Sequence, residues 1–162
     1  MSLRHAIAAV FLLGLVACGT ETTAPTSTTS SSPTDMAALG KQYLALVAPL
    51  NAALNTFTAK VNALPTVATV GDLNALAAPL VPALTTFDAA LQRLPFPPPM
   101  STDVSALIAA DTAAVGDLDR AGSVAGAKVS TWLQQFSTDS RRFSAAASAV
   151  RADLGLPPNS RG

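Results

Sequence analysis

Cysteine, histidine and net charge are what this chain of 162 residues has least of. It holds one Cys, one His, one Trp and one Tyr, and ten Lys or Arg balance ten Asp or Glu. With no basic excess and no basic patch there is little electrostatic attraction toward nucleic acid or anionic headgroups, and nucleic acid is excluded as a partner. A lone thiol closes no intrachain disulfide, so stability has to come from packing. The single histidine, His5, lies in the leader. Its loss with the leader removes the usual general base, the commonest transition-metal ligand and every Ser-His-Asp or Cys-His arrangement. Asp117 and Asp119 lack the further oxygen ligands and the spacing of a calcium loop. The composition therefore predicts no metal, no cofactor and no standard hydrolase.

What is present begins with a leader. Residues 1–4 carry one positive side chain, Arg4, and the apolar run Ala6 to Val16 has about the length of a signal h-region, too short to span a bilayer. The run ends in Leu15, Val16, Ala17 and Cys18. This tetrad resembles the lipobox of bacterial lipoproteins, in which the thiol receives a diacylglyceryl group and a peptidase cuts between Ala17 and Cys18. A thiol is the nucleophile that such a thioether requires. An ordinary secretory signal cut elsewhere is the alternative. At ~0.8 kcal/mol per buried methylene one acyl chain is a marginal anchor and two or three are a stable one. The expected location is the extracytoplasmic face of the cell membrane, with the membrane itself as partner through the anchor.

Removal of residues 1–17 leaves 145, enough for one domain after a leader segment. From Thr20 to Thr34, eleven of fifteen residues are Ser or Thr, with Pro25 and Pro33 among the rest. Such a stretch cannot bury enough apolar surface to offset ordering, and it reads as a disordered tether over 18–34 reaching ~20 Å as a coil and ~50 Å stretched. Clustered hydroxyls beside proline also suit O-glycosylation.

Beyond the tether the apolar positions recur three and four apart and predict an all-α domain over 35–156, with helices at about 35–64, 72–94, 102–122 and 130–154 and a tail over 157–162. Met36, Tyr43, Val47, Leu50, Leu54, Phe57, Val61 and Leu64 trace one face of the first helix, with Thr34 as its N-cap and Pro65 as its stop. The second helix repeats the first: displaced by thirty residues, positions 45–65 match 75–95 at twelve of twenty-one places, including Pro49 with Pro79 and Phe57 with Phe87. Phe96 to Pro99 forms a corner, and Ser101 or Thr102 offers the next cap. Gly116, Gly122 and Gly126 weaken the third helix, so a turn is placed between Ala121 and Ser130. Trp132, Phe136, Phe143, Ala147, Val150 and Leu154 mark the fourth, which ends at Gly155. Short connections predict an antiparallel up-down four-helix bundle.

The lipobox, the tether, the stretch Tyr43 to Pro49 and the closing run Val150 to Pro158 together resemble the small Ala-rich lipoproteins of actinobacteria. That resemblance implies a helical domain outside the cell membrane and brings no catalytic residues with it.

Three groups of residues are candidates for function. Pro49, Pro79 and Pro82 fall inside predicted helices, where each removes a hydrogen bond; the resulting kinks either are absorbed by packing or open an apolar cleft lined by Tyr43, Leu46, Val47 and Leu76 and suited to an acyl chain. Trp132 and Tyr43 read as core anchors or as gates to such a cleft. Asp111, on the apolar face of the third helix, is either a buried carboxylate with raised pKa or, more commonly for such a residue, a rim group paired with Arg142 or Arg151. Asp139, Arg141 and Arg142 read as a solvated charged face. The expected function is a non-catalytic binding or interaction module at the cell envelope, with an envelope protein or lipid as partner; a carrier of a lipid or apolar small molecule is the alternative, and an enzyme relying on Asp111 the second alternative. No oligomeric state follows from the sequence.

Overall fold

A computed structural model describes residues 33–63, 69–124 and 128–158. The lipobox with Ala17 and Cys18, the tether before Pro33, the helix stop at Pro65, residues 125–127 of the turn and the end of the tail lie outside the described residues. Those described form α1 (Pro33–Ala63), α2 (Val70–Ala77), α3 (Leu80–Leu91), α4 (Ser101–Arg120) and α5 (Lys128–Asp153), with 3-10 turns at Pro98–Met100 and Ala121–Ser123. There is no strand among them.

Local chemistry accounts for the helix ends. α1 starts at Pro33 rather than after Thr34, placing a proline where a missing N–H costs nothing and Asp35 where its charge favours the first turn. The Thr69 hydroxyl of α2 accepts from the Asp72 amide at 3.2 Å while the Asp72 carboxylate accepts from the Thr69 amide at 2.8 Å. This capping box stabilises a helix of eight residues that propensity alone would not hold. The expected cap at Ser101 or Thr102 is replaced by the Pro98–Met100 turn, whose Pro98 carbonyl accepts from the Ser101 amide. At the far end Gly155 adopts φ 64°, the Leu156 amide donates to the Arg151 carbonyl at 2.9 Å and the Gly155 amide to Ala152 at 3.0 Å. That is a Schellman stop, and it turns Leu156 onto Gly40 of α1, where a Cβ would lie 3.3 Å from the leucine.

The stretch expected to be one helix over 72–94 is divided at Ala78–Pro79, although both residues keep right-handed helical dihedrals. The break is one of hydrogen bonding. Pro79 and Pro82 withhold two amides from the same turn, whereas in the first repeat Pro49 stands alone and α1 continues through it. With α2 and α3 as two halves of one arm, four helical arms pack on one another: α1 on α3, α3 on α4 and α4 on α5. α2 leans on the Ala121–Ser123 turn, where a Cβ on Gly122 would come within 3.0 Å of Asn74. α1 and α5 meet through larger side chains, with the Phe57 and Phe136 rings 6.3 Å apart and Trp132 stacked on Phe136 at 5.4 Å. Phe87 meets Phe143 edge-on at 6.2 Å. Leu54, Leu80, Leu84, Leu91, Leu107 and Leu118 fill the core between them, each contributing about 1.5–3 kcal/mol of burial.

Candidate functional site

The α1–α3 seam does not close. Between the two helices lies a half-open groove of about 350 Å³. Leu50 and Phe87 are buried beneath it, Leu46, Ala83 and Ala90 form half-buried walls, and Ala45, Pro49, Pro82 and Thr86 stand exposed at the rim. The alanines leave the space, since a side chain that ends at Cβ cannot reach across two helix faces. Thr86 supplies the one hydroxyl in the lining. Pro49 adds a second polar feature: without its N–H, the Ala45 carbonyl loses its helical partner.

Of the residues expected to line a cleft, the structure brings together Leu46, Pro49 and Pro82. Tyr43, Val47 and Leu76 are instead buried in the core, and Pro79 is exposed at the α2–α3 break, outside the groove. Pro82 sits in the first turn of α3, so it kinks no helix interior. Ala45, Leu50, Ala83, Thr86, Phe87 and Ala90 were not anticipated as lining. The signal for them was the repeat, because the groove joins the early part of its first copy to the middle of its second. Neither Trp132 nor Tyr43 borders the groove. Burial pushes the Tyr43 hydroxyl up to about 12, moderated by Arg151.

Of its two expected places Asp111 takes the buried one, not the rim beside an arginine. It is 1% exposed, on the inner side of α4, and its Oδ1 has no hydrogen-bond partner. Burial first, and the charge of Asp88 second, push its carboxyl up to about 7. The arginines expected as its partners are engaged elsewhere: Arg142 with Asp139 at 2.9 Å, and Arg151 with the Pro157 carbonyl through Nε at 3.0 Å and Nη2 at 2.6 Å. Asp139, expected on a solvated face, is 3% exposed and also accepts from Gln135. Asp117 is fully buried, binds Arg120, and its backbone carbonyl accepts the Trp132 indole N–H at 2.8 Å. Asp111 is not part of the groove lining, so the carboxyl that burial raises to about 7 stands apart from the groove. Among the described residues no three His, Cys, Asp or Glu side chains gather as a metal site, and no helix is long and apolar enough to cross a membrane.

Comparison of the chain with protein-family models, curated proteins and solved structures gave no match.

Proposed function

We propose that this chain is a membrane-anchored extracytoplasmic lipoprotein of the small Ala-rich actinobacterial kind, cut between Ala17 and Cys18 and acylated on Cys18. Its helical domain acts without chemistry of its own, binding an apolar ligand in the α1–α3 groove. The observation that carries the binding reading is the groove itself, open to solvent and lined by apolar side chains apart from Thr86. At about 350 Å³ it falls at the small end of ligand pockets, a size suited to a single acyl chain or a molecule equally slim. The anchor reading rests on the leader, with its short apolar run and the sole cysteine directly after Ala17.

The arms are read as an up-down antiparallel four-helix bundle. Phe57, late in α1, meets Phe136, early in α5, and Trp132, early in α5, bonds Asp117, late in α4. Both contacts support neighbouring arms of opposite direction.

Protein isolated from its own membranes and released from Cys18 by proteolysis within the tether is expected to retain a stoichiometric apolar molecule in native mass spectrometry, identifiable by organic extraction. A ligand-free mass overturns the carrier reading and redirects the search to crosslinked envelope proteins.

A further inference from the structure

The aspartates of α4 have unusual company. Asp111, 1% exposed with an unpartnered Oδ1, stands near Asp88 of α3, whose Oδ1 is likewise buried and unpartnered; Asp117, fully buried with Oδ2 unpartnered, stands near the buried Asp139 of α5, and Asp103 stands near Asp153 of α5. Three acids along one helix thus meet three acids on its two neighbours. We propose that α4 is held against α3 and α5 by protons retained at these carboxyl pairs, which makes the bundle a pH-sensitive clamp, tightest in mildly acidic surroundings.

The geometry of the buried pair shows why a proton belongs there. Two ionised carboxylates have only acceptors to offer each other, so a hydrogen bond between them needs a proton on one. Of the four oxygens, Asp117 Oδ1 accepts from Arg120, Asp139 Oδ1 from Arg142 and Asp139 Oδ2 from Gln135. The fourth, Asp117 Oδ2, is buried without a donor. A proton on that oxygen completes the set. Arg120 and Arg142, the cations facing the pair, have largely exposed side chains, where solvent weakens their hold.

At the Asp88–Asp111 pair no cation offsets the charge. Oδ1 of each is buried and unpartnered, and Gln92 donates to Asp88 Oδ2. Asp153 is raised by partial burial and then by Asp103. Asp111, Asp117 and Asp153 therefore all titrate above the unfolded value of ~3.9, and the folded chain keeps protons that the unfolded chain releases. The corresponding stability is complete below about pH 4 and is lost as pH rises, through about 7 for Asp111. Asp72 acts in the opposite sense: its cap bonds lower its pKa, so that contribution is present above the ordinary aspartate range and lost on acidification. The two trends place the optimum on the acid side of neutrality. No histidine lies between residues 33 and 158, and Asp111, raised to about 7, is the carboxyl that brings a titration near neutrality to the domain.

Trp132, the only tryptophan, is bonded to the Asp117 backbone and reports on this seam. The test is urea unfolding of the whole chain, followed by Trp132 fluorescence from pH 4.5 to 8. The unfolding midpoint is expected to fall steadily over that range, with about one proton or more taken up on folding. Asp111→Asn and Asp117→Asn, which replace an acid by a neutral group of the same shape, are expected to flatten the profile and to raise the midpoint at pH 8 above that of the parent. A midpoint that is constant or rises with pH overturns the proposal, as does the parent slope in both variants. Where a variant does not fold, carboxyl ¹³C titration of the parent decides instead: Asp111 titrating above pH 6 supports the clamp, and below pH 5 contradicts it.

Discussion

Along the α1–α3 seam the unfilled space is apolar, between alanines and prolines; along the seams of α4 what is missing is a donor for buried oxygens. Both seams are built from Ala-rich helices, yet each incompleteness has its own remedy. An apolar molecule entering the groove would recover contacts that Ala45, Ala83 and Ala90 cannot make across it. A proton entering the α4 pairs would satisfy Asp117 Oδ2 and relieve the repulsion between Asp88 and Asp111. The proposed ligand binding and the proposed pH sensitivity thereby fall on different seams of one small bundle, and only α3 belongs to both.

The largest expected effect falls where neither seam is involved alone. Phe136 stacks on Trp132 and touches Phe57, joining α5 to α1, so Phe136→Ala is expected to cost about 3–5 kcal/mol in urea unfolding. A loss under about 1 kcal/mol would show that the aromatic cluster does not hold these arms together. The prolines give a smaller and sharper contrast. Pro49 interrupts the middle of α1, and Pro49→Ala is expected to stabilise the chain by about 1–3 kcal/mol. Pro82 lies in the first turn of α3, where its replacement restores at most one amide bond, to Ala78, beside the break that Pro79 maintains, so Pro82→Ala is expected to stabilise by less than Pro49→Ala, within about 1 kcal/mol. Equal changes at the two sites would contradict the distinction between a proline inside a continuous helix and one at the start of a helix already broken.

The helical class was legible because apolar spacing reports which face of a helix is buried: Tyr43, Val47, Leu50, Leu54 and Phe57 all lie in the core. The division of the second arm was not, since it depends on two prolines three residues apart acting on one turn rather than on either alone. Of the groove, its prolines and Leu46 were visible in the sequence. The alanines were not, because a small residue reads as neutral filling until its opposite wall is known. The acid pairs were hidden for a related reason. An aspartate on an apolar face ordinarily implies a nearby arginine, and only the packing of α3, α4 and α5 shows that Asp111 has Asp88 for a neighbour instead.

The most direct test of the groove is residue-resolved. NMR titration of the parent chain with dodecanoate is expected to give saturable shifts at Ala45, Leu46, Ala83 and Ala90, and Ala83→Phe, which fills the groove, is expected to abolish them while changing stability by less than about 1 kcal/mol. Shifts that never saturate, or that persist unchanged in Ala83→Phe, would contradict binding in the α1–α3 groove.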